Sequence, residues 1–257
     1  MKHVSIIGTG NVAFHLSQAI LKLDQWKLYQ VYGRKPSATQ EFKNDLALND
    51  LQIVNDLNAL EEVDIILCCI NDNAIQEVIS KLKLQTTLIA HTSGATALQN
   101  TAVNNAVFYP LQSFSKLKVL DYQSILFCIE ADSERNLKLI KSLASHISTE
   151  VYHINSSQRL QLHLAAVFVN NFTNYMVKIG EDLCQQNNID SSILQPLINE
   201  TFDKLKRMPA TEAQTGPAKR QDHQSIEAHF NLLKNTNYQS LYQNISQHIL
   251  NDYGKKL

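Results

Sequence analysis

Lys2-His3-Val4-Ser5-Ile6-Ile7-Gly8-Thr9-Gly10-Asn11-Val12-Ala13 opens the chain and decides its fold. Residues 2–7 read as a short buried strand, and Gly8 to Ala13 form a GxGxxA turn leading into an amphipathic helix. Gly8 permits the tight turn, Gly10 leaves no side chain between backbone and ligand, and Ala13 lets helix and strand pack closely. The helix N-terminus offers free N–H groups to an anion such as a pyrophosphate. Glycine is scarce, with seven in 257 residues, so two at this spacing carry weight. Gly8, Thr9, Gly10, Asn11 and Val12 are therefore the expected dinucleotide contacts, although an ordinary strand–turn–helix also fits the motif taken alone.

The following segments tilt the balance. Val12, Leu16, Ala19, Ile20 and Leu23 form a helical stripe suited to packing on a sheet. A second strand, about residues 27–33, ends in Tyr32-Gly33-Arg34-Lys35-Pro36-Ser37. NAD recognition calls for an acid here, about twenty residues past the glycines, to bind the ribose 2′-OH, whereas a 2′-phosphate calls for cations and donors. The first acid is Glu41. Arg34 and Lys35 supply charge, Ser37 a hydroxyl, and Gly33 removes a side chain that would obstruct the phosphate. NADP is the expected cofactor, with a solvated basic turn as the plain alternative.

Strand-like and helix-like runs then alternate. A helix over about 37–46, a strand near 52–54 and the apolar run Val63 to Ile70 come first. Asn71-Asp72-Asn73 caps a helix through Leu82, and strands are expected near 87–90, 106–109 and 125–130. A helix over about 133–146 and the run Glu150 to Ile154 end the rhythm. Beyond residue 155 only helices are expected, over about 156–186, 191–207, 217–234 and 238–253. The chain thus reads as α/β, a Rossmann-type doubly wound and mostly parallel sheet followed by an all-α C-terminal domain. The domains are expected at 1–155, binding NADP, and 156–257, serving substrate binding and dimerisation. Ile70, Asn71 and His91 fall at strand ends and join the expected cofactor rim.

Composition excludes several functions. Hydrophobic residues at 44% and charged residues at 18% support a core. A net charge of −1 from dispersed basic residues gives no nucleic-acid footprint. Cys68, Cys69 and Cys128 sit in apolar runs and Cys184 stands apart, so buried thiols in a reducing, cytoplasmic compartment are expected. The opening apolar run is too short for a signal peptide, and none approaches the roughly 20 residues of a membrane helix. Zinc-ligand spacing, a Walker lysine and a GxSxG elbow are all missing, so no metal is expected.

Chemistry concentrates in four segments. At about 100° per residue, Arg159, His163, Asn170 and Asn174 share one face of the long helix, amid a largely apolar sequence. Burying such groups without partners costs roughly 1–3 kcal/mol each, so they must be hydrogen-bonded. Either they form a structural network, or they face a cofactor cleft with His163 as general acid or base and the asparagines orienting a substrate. His91-Thr92-Ser93-Gly94 ends a parallel strand, where open α/β sheets bind ligands. His91 and Ser93 can donate there, and Gly94 implies close backbone approach or a positive φ. Tyr109-Pro110-Leu111-Gln112-Ser113 reaches the same rim, with Gln112 and Ser113 as donors. Thr215 to Asp222 reads as a helix start that, with Arg220, would hold an anion.

These segments together resemble a bacterial family of candidate NADP oxidoreductases, whose members join a Rossmann-like domain to a helical domain of unestablished function. The resemblance rests on GTGNVA at 8–13, HTSGA at 91–95, YPLQSFS at 109–115, HLAAVFVNNF at 163–172 and TGPAKRQD at 215–222. The chain is more distantly similar to pyrroline-5-carboxylate reductase, deazaflavin-dependent NADP reductase and the 6-phosphogluconate dehydrogenase group. Those relatives imply an NADP-binding first domain, a homodimer built largely through the helical domains, and a site between the domains. The wider group carries a catalytic lysine four residues before an asparagine; if Asn170 matches it, Ala166 stands in the lysine's place. Lysine-assisted alcohol oxidation is thus unsupported, and reduction of a small carbonyl or imine stays open. His163, Asn170 and Ser93 are the expected catalytic residues; Ser93, Gly94, Gln112, Ser113, Asn171, Asn174 and Arg220 are expected to meet the substrate. Ala166 keeps a non-catalytic dinucleotide sensor open as the alternative, and hydride exchange with a deazaflavin is a third.

Overall fold

The computed structural model describes residues 1–100 and 104–254, which divide into two compact units, 1–170 and 171–257. The first unit is built on β1 (Lys2–Ile7), α1 (Asn11–Ile20), β2 (Trp26–Tyr32), α2 (Pro36–Asp45) and β3 (Gln52–Val54). It continues with β4 (Ile65–Cys68), α3 (Asp72–Lys81), β5 (Leu88–His91) and β6 (Asn105–Leu111). β7 (Leu126–Ala131), α4 (Glu134–Ile147), β8 (Val151–His153) and α5 (Ser156–Ala166) complete it.

The eight strands form one sheet in the order β3-β2-β1-β4-β5-β6-β7-β8. All neighbours run parallel except β6 and β7. The expected doubly wound sheet is present, and its strand order reverses between β1 and β4, the crevice where such sheets take nucleotides. β4 and β5 are buried along their whole lengths, as their unbroken apolar runs require. On one face α1 buries Ala13, Leu16, Ala19 and Ile20 against the central strands, and α4 adds Ile140, Leu143, Ala144 and Ile147. On the other, α3 buries Ile75 and Ile79 against Ile7, Ile66, Cys68 and Ile89. Cys68, Cys69 and Cys128 are buried free thiols.

Asn155 caps α5: its side chain accepts from the Gln158 N–H while the Gln158 side chain accepts from the Asn155 N–H. The long helix runs to Gln186, but Val167–Phe172 is a π-helical turn between α5 and α6 (Thr173–Gln186). This turn straddles the division between the units.

The second unit contains α6, a 3₁₀ turn at Ser191–Leu194, α7 (Gln195–Arg207), α8 (Ala210–Ala213), α9 (His223–Leu232) and α10 (Gln239–Tyr253). The single helix expected over 217–234 is shorter, because Pro217 to Gln221 make turns and Asp222 caps α9. No helix of the described residues is long and apolar enough to cross a membrane.

Candidate functional site

The turn after β1 has the geometry its glycines demand. Gly8 has φ +121°, and a Cβ there would lie 2.2 Å from the Cys69 carbonyl oxygen. A Cβ at Gly10 would meet nothing within 4 Å. Gly10 is also the N-cap of α1, and no side chain caps the N–H groups of its first turn. This is a cradle for an anion.

The second loop packs against the first. A Cβ at Gly33 would lie 2.3 Å from Thr39 Oγ1 and 3.0 Å from Thr9 Cγ2. Gly33 is therefore required by the packing of the two loops, a different reason from the clearance for a phosphate expected of it. Asn55 Nδ2 donates to the Gly33 carbonyl at 2.6 Å and to Thr39 Oγ1 at 3.0 Å, and Thr39 Oγ1 donates to the Lys35 carbonyl at 3.0 Å. Arg34, Lys35 and Ser37 are exposed at the start of α2, whose first turn holds no acid. Neither Arg34 nor Lys35 is in a salt bridge among the described residues. Across the crevice, Ile70 is half-buried beside Gly8, and Asn71 caps α3 by accepting from the Asn73 N–H. An open glycine cradle, an uncapped helix and unpaired cations are donors that fit a phosphorylated dinucleotide.

The loop after β6 is tied to α1. Asn11 Nδ2 donates to the Phe114 carbonyl at 3.1 Å. His15 is buried, with Nε2 2.8 Å from the Ser115 carbonyl and Nδ1 3.0 Å from the Tyr122 hydroxyl. Gln112 and Ser113 sit exposed on this pinned loop.

His91 and Ser93 are used differently from expectation. The His91 ring is fully buried, its Nδ1 accepts from the Ser93 N–H at 3.3 Å, and its Nε2 pairs with the Ala97 carbonyl at 3.1 Å. Burial, reinforced by the Arg159 guanidinium, pushes its pKa down to about 4. Its side chain braces the 91–97 turn and offers no donor to the cofactor rim. Ser93 Oγ accepts from the Ala95 and Thr96 N–H groups at 3.1 and 2.9 Å, so its oxygen serves the same turn.

Gly94 instead marks the chemical centre of this rim. A Cβ there would lie 2.6 Å from His163 Nδ1 and 2.7 Å from Tyr109 Cζ. Close approach, not positive φ, is why glycine stands at 94. Tyr109 and His163 are hydrogen-bonded, hydroxyl to Nδ1, at 3.1 Å, with their rings edge-on. Burial, with a smaller contribution from the Cys128 thiol, pushes the Tyr109 phenol up to about 12. Tyr109 was not among the expected site residues; its place late in β6, immediately before Pro110, was the available signal.

Arg159 lies outside that centre. It is 1% exposed, its Nη1 donates to Glu130 Oε2 at 2.6 Å, and its Nη2 donates to the Thr96 carbonyl at 2.6 Å. Ser156 Oγ donates to the same Glu130 oxygen and accepts from the Leu98 N–H. Burial pulls Glu130 upward, but the hydrogen bonds from Ser156 and Arg159 outweigh it and hold the carboxyl below its ordinary range. These three side chains clamp the 93–98 loop to α5 and β7.

The helical wheel that aligned Asn170 and Asn174 with His163 holds only through Ala166. The π turn has i→i+5 bonds and more residues per turn, which shifts the phase beyond it. Nor is the long helix buried: Leu164 and Val169 are exposed, as are Asn170, Asn171 and Asn174. Arg220 is exposed in the 217–221 turns, and Lys219 Nζ donates to the Gln214 carbonyl. The anion site expected at Pro217 is not formed, because no helix starts there and the Asp222 carboxylate accepts from the Ser225 N–H at the start of α9. Among the described residues no group of three metal-ligating side chains could hold an ion.

Known proteins place these features in context. Residues 3–93 match the domain family described as NADP oxidoreductase, coenzyme F420-dependent, and residues 125–249 match a domain of unknown function, DUF2520. The chain is similar to the crystal structure of a candidate NADP oxidoreductase, BF3122, from Bacteroides fragilis. They share 31% identity and a TM-score of 0.87, over 97% of this chain and 98% of that one. Protein TM1727 from Thermotoga maritima is similar at 21% identity and a TM-score of 0.74, over 98% and 99% of the two chains. The fold also resembles Plasmodium falciparum pyrroline carboxylate reductase with NADP bound, at 12% identity and a TM-score of 0.59, over 98% and 97%. No curated protein matches at the sequence level.

Proposed function

Because the chain belongs to the bacterial family that joins a Rossmann-like NADP oxidoreductase domain to a helical domain of unknown function, we propose that it is an NADP-dependent reductase of a small carbonyl or imine. The carrying observation is the open Gly10 cradle at the uncapped start of α1 beside the acid-free loop at Gly33 to Lys35. The α1 N–H groups would hold the pyrophosphate, and Arg34, Lys35 and Ser37 the 2′-phosphate. Ile70 and Asn71 would flank the dinucleotide across the crevice, with Thr9, Asn11 and Val12 in the glycine turn itself.

When bound, NADPH supplies the hydride. The protein's part is then to stabilise and protonate the oxygen or nitrogen onto which the electron pair of the C=O or C=N bond moves. His163 is the group for this, since it lies against the Gly94 backbone at the carboxyl edge of the sheet. Gln112 and Ser113, exposed on the loop that Asn11 pins to α1, would orient the substrate. Ser93 acts indirectly in this scheme, by shaping the turn that presents Gly94.

We also propose a homodimer in the cytoplasm. Among the described residues from 171 onward only Ala218, Leu233 and Ser246 are buried, which supports a second copy as the missing cover. Four free cysteines fit a reducing compartment.

The test is a comparison of NADPH and NADH affinity in the wild type and in Arg34→Ala. Wild-type protein is expected to bind NADPH more tightly, and Arg34→Ala to weaken NADPH binding about tenfold, the loss of roughly one charge-assisted contact, with NADH unchanged. Equal affinities in the wild type would remove the NADP assignment. A screen of cyclic imines, oxo-acids and aldehydes for NADPH oxidation then identifies the substrate class.

A further inference from the structure

His163 has two ring nitrogens, and only one is engaged. Nδ1 faces the Tyr109 hydroxyl at 3.1 Å, while Nε2 has no hydrogen-bond partner among the described residues. The tautomer decides what Nε2 can do, as a donor if it carries the proton and an acceptor if it does not.

The surroundings of Tyr109 favour one direction of the shared bond. Tyr109 is buried, and its hydroxyl pairs with no described group besides His163 Nδ1. If Nδ1–H donated to the phenol oxygen, the phenolic proton would have no acceptor among the described residues. If the phenol donates to Nδ1, both groups of the pair are satisfied, and Nε2–H is left unengaged on a half-buried imidazole. The raised phenol pKa keeps that proton in place at neutral pH. Neither partner can rotate away readily. The rings pack edge-on with centroids 5.9 Å apart, and Gly94 leaves only enough room for both.

We propose that Tyr109 is a positioning residue that locks His163 as its Nε2–H tautomer, so that His163 turns a hydrogen-bond donor toward the oxygen or nitrogen of the substrate. A neutral imidazole in this state polarises a C=O or C=N bond and stabilises the charge that builds on the heteroatom. The donor role rests on the reductase function proposed above, whereas the tautomer does not. Gly94 belongs to the same device, since any side chain there would separate the pair.

The experiment is ¹⁵N spectroscopy of the histidine rings in the wild type, in Tyr109→Phe and in His163→Gln, all without cofactor. The His163→Gln spectrum identifies the His163 signals by their loss. Wild-type His163 is expected to show one protonated nitrogen, Nε2, and one unprotonated nitrogen, Nδ1, at neutral pH. Tyr109→Phe keeps the ring packing and is expected to lose this single-tautomer signature, with both nitrogens moving toward exchange-averaged positions. A protonated Nδ1 in the wild type, or an unchanged spectrum in Tyr109→Phe, would overturn the inference. If the spectra are as expected but wild-type protein binds no NADPH, the functional proposal has failed and the donor role falls with it. If NADPH binds and Nδ1 carries the proton, the inference itself has failed.

Discussion

The two units of this chain are finished to different degrees. The first closes a core of its own, with β1, β4 and β5 covered by helices on both faces. The second has ten-residue and longer helices, yet no side chain of α6, α7 or α9 is buried. Ile193, Leu197 and Leu232 are 63%, 64% and 80% exposed. Each such side chain gains about 1.5–3 kcal/mol on full burial, so a helical unit that leaves them in water lacks most of the driving force for folding. The first unit covers its own apolar residues, and the second leaves most of its own exposed among the described residues.

The largest expected effect tests that contrast directly. Wild-type protein is expected to sediment at twice the mass of one chain, and the pair Ile193→Glu with Leu197→Glu to sediment at one. In the variant, limited proteolysis should degrade residues 171–257 and spare 1–170. A wild-type monomer with a protease-resistant helical unit would break the comparison.

Within the first unit, the next largest effect concerns the Arg159–Glu130 clamp. Glu130→Ala leaves the guanidinium buried and uncompensated, at a cost of about 3–5 kcal/mol. Its melting temperature should fall by roughly 6–20 °C, at 2–4 °C per kcal/mol for a domain of this size. Arg159→Met, of similar length and without charge, should cost far less in Glu130→Ala than in the wild type. A small effect of Glu130→Ala would show that the clamp is incidental to the 93–98 loop.

The glycines separate folding from binding more finely. Gly8→Ala meets the Cys69 carbonyl at 2.2 Å and a φ of +121°, so it should cost at least about 1–3 kcal/mol of backbone strain and lower the melting temperature. Gly10→Ala meets nothing, so its melting temperature should stay within about 2 °C of wild type while NADPH affinity falls. An equal loss of stability in both would remove the distinction between a structural and a binding glycine.

This difference between the units also explains what could be read from the chain beforehand. Strand runs such as Val63 to Ile70 and the cap at Asn71 are local signals, and the elements they predict formed. The GxGxxA turn was legible because backbone geometry alone dictates its glycines. His91 departs from expectation because the fold buries its ring against the 91–97 turn, where the Ser93 N–H and the Ala97 carbonyl engage it. Arg159 instead takes the structural-network reading through Glu130 and Thr96, partners distant in sequence. Tyr109 was passed over for Gln112 and Ser113, since only the folded sheet brings β6 beside α5. The π turn at Val167–Phe172 defeated the wheel because periodicity assumes a regular helix. Helix positions in the second unit were legible apart from the 191–194 turn, α8 and the 217–221 turns, but their exposure was not, because an apolar stripe does not say what covers it.

The smallest expected effect lies at the opposite rim of the first unit's sheet. Glu62 accepts hydrogen bonds from the N–H groups of Gln85, Thr86 and Thr87 and from the Thr86 and Thr87 hydroxyls. Partial burial would raise its pKa, but these bonds, led by Thr87, outweigh that and bring it down to about 2. A carboxyl depressed in the folded state contributes stability that is complete above its unfolded pKa, near 4.5, and is lost as pH falls toward 2. The site is mostly solvated, so the contribution is less than about 1 kcal/mol. Glu62→Gln should therefore melt about 2 °C below wild type at pH 7, and the two should converge as the pH falls from 4.5 to 2. A gap that persisted at pH 2 would assign the loss to the shape of the amide rather than to the charge. In either case the change should register in unfolding of residues 1–170 and leave the mass of the assembly untouched, since the Glu62 contacts all lie within the unit that closes its own core.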